Sequence, residues 1–482
     1  MARAGSHAVV IGGSMGGLVA ARVLADRFER VTVVDRDELP RDALDRRGVP
    51  QSGHAHALLI SGLRRLEELF PGLTGELVAG GAVPFDPGCD LVFHQMGALR
   101  ARFASGKLGI SLSRAFLEQR TRARVLGLGP VTVRDRVSVT GLRGGTGRVC
   151  AVELDGGEVL AADLVVDATG RSAERSDRWL RELACQVPRV DTVKIDVSYT
   201  TRLLRRVPGD RMPDGALLYL MAAVPPHDKR AAAVFAVEGG RWMVTLGGWH
   251  RSTAPSDPAG FARFARELPS GHVSDLLERC EPVPGAGERS FTYPRARRRY
   301  FERLRRPPAG YVALGDAICG FNPLYGQGMT VAALEAVALG EALDRFGGAT
   351  SLMARSYYRA AARAVATPWQ MATGGDFMYP ETVGPRPAGV DLLNAYVRQV
   401  MLASHVSSRA HRVMLDMQHL LVPPTEILRP SVVVRSLLAA RRSPARHAPA
   451  PPRADRGAAA DQDPEPGAAA GPAAGGRAAA GR

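Results

Sequence analysis

The stretch AVVIGGSMGGLVAARVLADRFERVTVVDR, residues 8–36, decides the fold of this chain. Residues 8–11 form an apolar run of strand length, glycines follow, and residues 18–26 carry a helical pattern of apolar positions. A second apolar run, residues 31–34, predicts another strand that leads into Asp35. A strand, a glycine turn, a helix, a strand and a terminal acid in this order are typical of the βαβ unit that binds a dinucleotide.

Each position in the glycine turn has a physical reason to be there. Gly12 permits a tight turn off the strand, and Gly17 lets the helix lie close against the sheet. The start of the helix presents N–H groups and a partial positive charge to a pyrophosphate, and we expect the Ser14 hydroxyl to donate to a phosphate. Asp35 lies where a carboxylate accepts hydrogen bonds from ribose hydroxyls. The residues predicted to bind the dinucleotide are Gly12, Gly13, Ser14, Met15, Gly16, Gly17, Asp35 and Arg36.

The composition is that of an ordinary globular protein. The chain has 482 residues, enough for two or three domains, with 45% apolar and 23% charged residues. No apolar run approaches the ~20 residues that a transmembrane helix needs, and the N-terminus has no signal-peptide pattern. The cysteines lie singly, without a CxxC pair, which argues against a zinc site or a disulfide framework. We therefore expect a cytoplasmic protein.

A formal net charge of +15 would favour a negatively charged partner, such as nucleic acid, anionic lipid or an acidic carrier protein. The densest basic clusters, residues 295–306 and 429–442, lack the interleaved aromatic side chains of a nucleic-acid platform. We therefore expect no nucleic acid and interpret most of the arginines as solvated surface. A basic amphipathic helix predicted over 425–442 leaves one alternative open, which is peripheral contact with a membrane or a carrier protein.

The rest of the chain predicts several segments. Residues 5–180 and 301–350 predict the two parts of one dinucleotide-binding domain. Between them, alternating apolar and polar positions predict an inserted antiparallel sheet over 181–300 that covers the ligand. Helices are predicted over 351–442, and residues 443–482, rich in Ala, Gly and Pro, are expected to be disordered. Apolar periodicity predicts individual helices over residues 56–70, 113–124, 329–346, 351–366, 392–407 and 411–421.

The sequence GDAICGFNPLYGQGM, residues 315–329, carries a second set of ligand-binding features. Asp316 can hold sugar-like hydroxyls, and the glycines after Pro323 bring N–H groups to a second helix N-terminus, where they would stabilise negative charge on a delocalised ring. Two such devices about 300 residues apart imply one long ligand. FAD fits, with its pyrophosphate at the first turn, its ribitol at Asp316 and its isoalloxazine ring at residues 326–329. The second set comprises Gly315, Asp316, Pro323, Gly326, Gln327, Gly328 and Met329.

On these motifs the chain resembles the para-hydroxybenzoate-hydroxylase-like (class A) FAD-dependent monooxygenases over roughly residues 5–440. That family has a first glycine turn, a central Asp–Gly element and a later Gly–Asp element. The first and third match, whereas the central element reads DATGR at residues 167–171. The resemblance implies an α/β fold, with a Rossmann-like FAD-binding domain of the GR2 type, an inserted antiparallel β-sheet substrate domain and C-terminal helices.

Further motifs are similar to those of the squalene and polyether epoxidase branch. They are RGVPQ at 47–51 with His54 and His56, the pair Ser113 and Arg114 with Glu118, and NPLYGQG at 322–328. By this resemblance Arg47 and Arg114 contact FAD. A surface ion pair is the alternative interpretation of each arginine.

A few polar and aromatic side chains are candidates for contact with a substrate. His54 and His56 lie at a loop–helix junction without a nearby Cys or carboxylate, so we predict no metal site; they would line the flavin or cap the helix. Trp249 and Tyr293 lie on the predicted sheet, where they would either face the substrate or pack in the core. The substrate candidates are His54, Trp249 and Tyr293.

The resemblance implies an FAD-dependent monooxygenase, which inserts one oxygen atom into an apolar polyketide, isoprenoid or aromatic substrate by epoxidation or hydroxylation, through a C4a-hydroperoxyflavin. NAD(P)H bound transiently, or a separate flavin reductase, would supply the electrons, since no second nucleotide fingerprint is present. No residue is assigned as a catalytic acid or base. An FAD-dependent reductase or dehydrogenase of an isoprenoid-like substrate is the alternative. A flavin halogenase is disfavoured because the chain has no W-x-W-x-I-P element.

Overall fold

The opening stretch folds as the predicted βαβ unit. In the computed structural model, which describes residues 3–172, 174–222 and 224–446, it forms strand β1 (Gly5–Ile11), helix α1 (Met15–Ala25) and strand β2 (Phe28–Val34). The two strands pair in parallel, with Val9 opposite Thr32. Residues 8–10 are fully buried, because helices cover both faces of such a sheet.

The described part of the chain contains twelve α-helices and eighteen strands. The remaining helices are α2 (Ile60–Leu69), α3 (Leu73–Ala79), α4 (Arg114–Leu126), α5 (Glu174–Glu182), α6 (Pro258–Arg266), α7 (His272–Arg279), α8 (Gly328–Phe346), α9 (Ser351–Asp376), α10 (Val390–Ala403), α11 (Ser408–Gln418) and α12 (Pro430–Ala440). The remaining strands are β3 (Val83–Phe85), β4 (Leu91–Gln95), β5 (Ala98–Leu99), β6 (Gly109–Ser111), β7 (Val131–Arg134), β8 (Val139–Gly145), β9 (Arg148–Leu154), β10 (Val159–Ala161), β11 (Leu164–Asp167), β12 (Val190–Arg205), β13 (Leu218–Ala222), β14 (Arg230–Val237), β15 (Arg241–Gly248), β16 (Arg289–Arg299), β17 (Tyr311–Ala313) and β18 (Cys319–Gly320).

A five-stranded parallel sheet carries the opening unit, with the strand order β17-β11-β1-β2-β7. Strand β17 comes from the segment after residue 300 and pairs with β11, so two distant segments build one sheet. Because β1, β11 and β17 are neighbours and parallel, the loops that follow them meet at one edge of the sheet. Smaller sheets, β10-β9-β8 and β3-β6, are formed by residues 83–161.

An eight-stranded sheet has the order β18-β16-β12-β15-β14-β13-β4-β5. Strands β12, β14, β15 and β16 pair antiparallel, in agreement with the predicted sheet. The sheet also takes β4, β5 and β18 from outside the predicted insertion, and β4 pairs in parallel with β13. The sequence assigned no strand at β4 because it has five residues and buries the polar His94 and Gln95, which hides the alternation.

The helices of the described part differ from the predicted ones mainly at their ends. Helix α9 continues through Pro368 to Asp376, whereas the prediction ended near residue 366. Helix α2 begins at Ile60, later than the predicted residue 56, because residues 55–59 form a loop. None of the helices in the described ranges is long and apolar enough to cross a membrane.

The helix predicted over 425–442 is two elements. A 3₁₀ turn, Pro424–Leu428, is followed by α12, which begins at Pro430. The proline ring disfavours the helical conformation at the residue before it, and Arg429 is extended, with ψ of 133°. The single basic helix expected here is therefore interrupted.

The start of the predicted disordered tail is ordered. Ser443 is fully buried, and its hydroxyl lies 2.7 Å from Nδ1 of His405. The tail predicted over 443–482 thus begins at least one residue too early. Residues 447–482 of that prediction lie outside the described residues.

The packing of Gly17 against Gly12 predicts a large effect of one methyl group. A Cβ at Gly17 would overlap the carbonyl oxygen of Gly12, where β1 turns into α1. We expect Gly17→Ala to lower the free energy of unfolding by about 2 kcal/mol or more, or to prevent folding, because the two backbone segments must separate. Denaturant unfolding followed by circular dichroism measures this change.

Gly75→Ala in α3 is the matched control. A Cβ there meets no atom within 4 Å, and alanine has the higher helix propensity. We expect unchanged stability, or a gain of up to about 1 kcal/mol. Wild-type stability in Gly17→Ala would contradict the close approach of α1 to the first turn.

Candidate cofactor and substrate cavity

Both glycine-rich loops open onto one cavity of about 930 Å³. The loop after β1 leads into α1, the loop after β17 leads towards α8, and both start from the same edge of the parallel sheet. Neither helix has a side-chain cap or an acidic residue in its first turn. Their N-terminal N–H groups and positive dipole ends are therefore available to an anionic or electron-rich group in the cavity.

The cavity collects most of the residues that were predicted to contact a cofactor or substrate. Those that line it are Gly12, Ser14, Met15, Gly16, Asp35, Arg36, Arg47, Arg114, Trp249, Tyr293, Gly315, Asp316, Pro323, Gly326, Gln327, Gly328 and Met329. Gly13, Gly17 and His54 are not among the lining residues.

Backbone contacts shape the first glycine turn. Gly12 has φ of +104°, and a Cβ there would lie 2.6 Å from the carbonyl oxygen of Ala168 in the loop after β11. The N–H of Gly13 donates to a carboxylate oxygen of Asp35 at 2.6 Å. Gly13 and Gly17 therefore support the turn without lining the cavity, and they do not take the position that the predicted contact with the dinucleotide requires.

Ser14 has partners other than the expected phosphate. Its hydroxyl donates to Oε2 of Glu118 at 2.9 Å and accepts from Nη2 of Arg114 at 3.0 Å. The only proton of the hydroxyl is thus used inside the protein, which corrects the prediction that it donates to phosphate. Ser14 instead holds Arg114 at the start of α4, where Nε of Arg114 lies 4.0 Å from Glu118 but has no hydrogen-bond partner among the described residues.

A buried ion-pair network includes Arg46, which the sequence reasoning missed. Its side chain is 7% exposed and lies 2.9 Å from Glu118, 3.2 Å from Asp35 and 3.3 Å from Asp37. Burial alone would lower the pKa of Arg46, but the carboxylates of Glu118 and Asp35 raise it. The neighbouring Arg47 is exposed at the cavity and has no ion pair with any described residue. Nothing in the sequence distinguishes these two adjacent arginines.

The carboxylate of Asp35 already accepts several hydrogen bonds from the protein itself. One carboxylate oxygen accepts from the N–H of Gly13 and lies near Arg46, and the other accepts from the N–H of Asp37 at 2.8 Å. A carboxylate offers about four lone-pair sites, so about one remains for a ligand hydroxyl. The expected contact with both ribose hydroxyls is therefore reduced to one.

Asp316 follows β17 and lines the cavity near the start of α8. Its carboxylate has no hydrogen-bond partner within the described ranges, and a Cβ at Gly328 would lie 3.5 Å from it. Burial raises the pKa of Asp316, while Arg114 and Arg171 lower it. Asp316 is half-buried and faces the cavity, so its carboxylate is free to accept from ligand hydroxyls.

The central element of the sequence motif has a structural task. Asp167 is fully buried; one oxygen accepts from the N–H and hydroxyl of Thr169, and the other accepts from the Tyr311 hydroxyl at 2.8 Å. Asp167 thus joins the end of β11 to β17. The residues after it reach the cavity, where the Arg171 guanidinium lies over the ring of Phe291.

A buried carboxylate, Asp376, supports the wall beside the second glycine loop. Its Oδ1 accepts from Nε1 of Trp249 at 2.8 Å and from Nδ2 of Asn322 at 2.7 Å. Burial raises the pKa of Asp376 to about 7, against the lowering effect of these hydrogen bonds. The indole edge of Trp249 is therefore held in place, and Trp249 and Tyr293 both line the cavity.

His54 is a core residue, which corrects its prediction as a substrate contact. It is 1% exposed, its Nδ1 lies 2.7 Å from the Thr201 hydroxyl, and its ring meets that of Tyr199 edge to face. His56 lines the cavity instead, with Nδ1 bonded to the carbonyl of His54. The described residues include no cluster of His, Cys, Asp or Glu that could hold a metal ion.

Apolar side chains from distant segments complete the cavity. The eight-stranded sheet and the C-terminal helices contribute Phe93, Leu218, Leu220, Phe235, Met371, Met414 and Met417. No local sequence pattern identifies them, because they converge only when the sheet packs against the helices. They make this part of the cavity suitable for an apolar ligand body.

The neutral, buried His54 predicts loss of stability in acid. Burial lowers its pKa to about 4, from an ordinary value of about 6.5. Between these values the unfolded chain binds a proton that the folded chain does not, so stability falls as the pH falls. When the pH falls from about 7 to about 5, the free energy of unfolding should decrease in both proteins. We expect the decrease to be about 2 kcal/mol smaller in His54→Gln than in the wild type. Denaturant unfolding at each pH measures this.

The control for this experiment is His227→Gln, because His227 is exposed. Its pH dependence should match that of the wild type. An unchanged pH dependence in His54→Gln would show that this histidine is protonated in the folded protein.

One known protein is similar in sequence, and solved structures share the fold. No protein-family model matches the chain. PqsL of Pseudomonas aeruginosa, a probable FAD-dependent monooxygenase, has a TM-score of 0.56 at 19% identity, over 78% of this chain and 97% of that one. A flavoprotein/dehydrogenase from Cytophaga hutchinsonii has a TM-score of 0.62 at 15% identity, over 90% of this chain and 98% of that one. At these identities the likeness confirms the predicted fold class alone.

A relative in sequence is Protein Rv3254 of Mycobacterium tuberculosis. It is 34% identical over 410 residues, which cover 80% of this chain and 84% of the relative. The chain belongs to the family of Protein Rv3254.

Proposed function

We propose that this protein is an FAD-dependent monooxygenase that transfers one oxygen atom to a substrate with a largely apolar body. The observation that carries the proposal is that two uncapped helix N-termini and Asp316 meet at one cavity. The Asp316 carboxylate has no hydrogen-bond partner among the described residues. The fold shared with PqsL, a probable FAD-dependent monooxygenase, supports the reaction class.

The residues at the cavity fit FAD. Gly12 and Gly16, with Arg114, would hold the pyrophosphate, since the N–H groups of α1 and a guanidinium both favour an anion. Asp316 would accept from ribitol hydroxyls. Nε of Arg114 and Oε1 of Gln327 are buried polar atoms without a hydrogen-bond partner in the described part, and a bound cofactor can supply one.

The chain's own part in the reaction is to bind, orient and exclude water. Bound FAD, once reduced, supplies the activation of molecular oxygen. The start of α8, with Gly328 and Met329, would stabilise negative charge on the flavin ring through its N–H groups. The apolar walls would keep water from the reacting atoms.

A finer proposal concerns the substrate and the electron source. We propose epoxidation or hydroxylation of a polyketide, isoprenoid or aromatic compound, supported by the similarity of NPLYGQG at 322–328 to the squalene and polyether epoxidase branch. Electrons would come from NAD(P)H that binds transiently, or from a separate flavin reductase. Reduction of the bound flavin by NADPH or NADH alone, measured by stopped-flow absorbance, distinguishes these routes.

The alternative is an FAD-dependent reductase or dehydrogenase. The fold shared with the Cytophaga hutchinsonii flavoprotein/dehydrogenase supports this alternative. Both activities use the same cofactor loops, so cofactor binding does not separate them. Product mass does, because oxygenation adds one oxygen atom, whereas reduction adds two hydrogens.

The decisive experiment is turnover under ¹⁸O₂. We expect the purified protein to bind FAD with a flavin absorption spectrum, and candidate polyenes or aromatic compounds to gain one ¹⁸O atom when reductant is supplied. A colourless preparation that does not bind added FAD contradicts the cofactor assignment. Flavin turnover that adds hydrogen and no ¹⁸O to product contradicts oxygenation.

Asp316→Ala tests the cofactor site directly. We expect it to weaken FAD binding by about tenfold or more, because hydrogen bonds to a charged acceptor are lost. Fluorescence titration of apoprotein with FAD measures the dissociation constant. Asp155→Ala, at an exposed turn between β9 and β10, is the control and should bind FAD as the wild type does. Equal affinity of the Asp316 variant would remove this residue from the site.

A further inference from the structure

Arg100 is a buried cation on the cavity wall. It follows β5, at the edge of the eight-stranded sheet, is 4% exposed and lines the same cavity as the two glycine loops. Its guanidinium lies 4.0 Å from the centre of the Phe93 ring. Neither the sequence motifs nor the cofactor site uses this residue.

The partners of Arg100 are all neutral. Nε and Nη2 donate to Oε1 of Gln95, and Nη1 donates to Oε1 of Gln418 at 3.0 Å. Two other arginines are buried as deeply, and each has an acid: Arg122 pairs with Glu118, and Arg299 pairs with Asp177. Arg100 has no ion pair with any residue in the described ranges.

The described residues around Arg100 offer no counter-charge. His405 and His411 are the titratable groups that lie close to it, and burial lowers the pKa of both, so they are neutral near pH 7. The nearest carboxylate on α11, Asp416, is paired with Lys107 at 3.1 Å. The C-terminal end of α11 at Gln418 supplies only a partial negative charge.

An uncompensated buried cation is costly, and burial lowers the pKa of Arg100 to about 9. A guanidinium has five N–H bonds, of which three are used here. One N–H on each Nη nitrogen remains. A carboxylate can accept from two such donors.

We propose that the substrate carries a carboxylate and that Arg100 binds it, while the apolar body of the substrate lies along the sheet and the C-terminal helices. This rests on the proposed function, since it takes the cavity to be the substrate site. It changes the expectation of a purely apolar substrate to one of an apolar acid. Gln95 and Gln418 are then positioning residues that hold the guanidinium.

The test uses two probes of equal shape, naphthalene-2-carboxylate and naphthalene-2-carboxamide. Calorimetric titration of the full chain, with FAD loaded, gives the affinity for each. We expect the carboxylate to bind at least about tenfold more tightly in the wild type, because a charged pair replaces neutral contacts. Arg100→Gln should reduce this ratio to about twofold or less, and Arg100→Lys should retain an intermediate ratio.

Arg412→Gln is the matched control. Arg412 lies on α11, is exposed, and contacts the ring of Phe103 outside the cavity lining. This variant removes the same charge from the same region and should keep the wild-type ratio. If both variants lose the preference for the carboxylate equally, the preference comes from the net positive charge of the region and not from Arg100. That result would overturn the proposal.

Equal affinity of the two probes in the wild type, or no binding of either, also overturns the proposal. Arg100→Lys keeps the test valid if Arg100→Gln does not fold. Flavin content and ¹⁸O incorporation are read separately from probe binding. A loaded, oxygenating enzyme without carboxylate preference would therefore leave the proposed function standing and remove only this inference.

Discussion

The approach of Gly17 to the carbonyl oxygen of Gly12 determines where the first helix begins, and the cavity depends on that position. A side chain at either glycine would collide with backbone, so the start of α1 lies directly at the end of β1. The neighbouring strands β11 and β17 end at the same edge of the sheet. Two helix N-termini and the loop of Asp316 consequently share one space, whose backbone N–H groups suit an extended anionic ligand.

Two buried arginines near this cavity, Arg46 and Arg100, differ in whether carboxylates balance their charge. Near the first turn, the buried Arg46 is neutralised by Asp35, Asp37 and Glu118, so this network gives rigidity without requiring a ligand. At the edge of the large sheet, Arg100 has only neutral partners. A cation that the protein leaves unbalanced is a reason to expect an anion from outside. The charge of Arg46 is thus balanced within the protein, whereas no acid among the described residues is paired with Arg100.

Several residues were assigned to the wrong task by sequence reasoning because their partners are distant in the chain. Ser14 matched a phosphate-binding position, yet its proton goes to Glu118, about 100 residues later. His54 was a substrate candidate, but Thr201 and Tyr199 enclose it in the core. Arg46 and Arg47 are indistinguishable locally, and only packing turns one inward and leaves the other exposed.

The sequence by itself determined the βαβ unit, the second glycine loop, the α/β class and most helices, since these follow from glycine positions and from apolar periodicity within short segments. Only the tertiary structure decided that β4 joins the large sheet, that both loops face one cavity, and that Arg100 lines it without an acid. Local spacing controls backbone conformation, whereas the burial and charge balance of a side chain depend on segments hundreds of residues away.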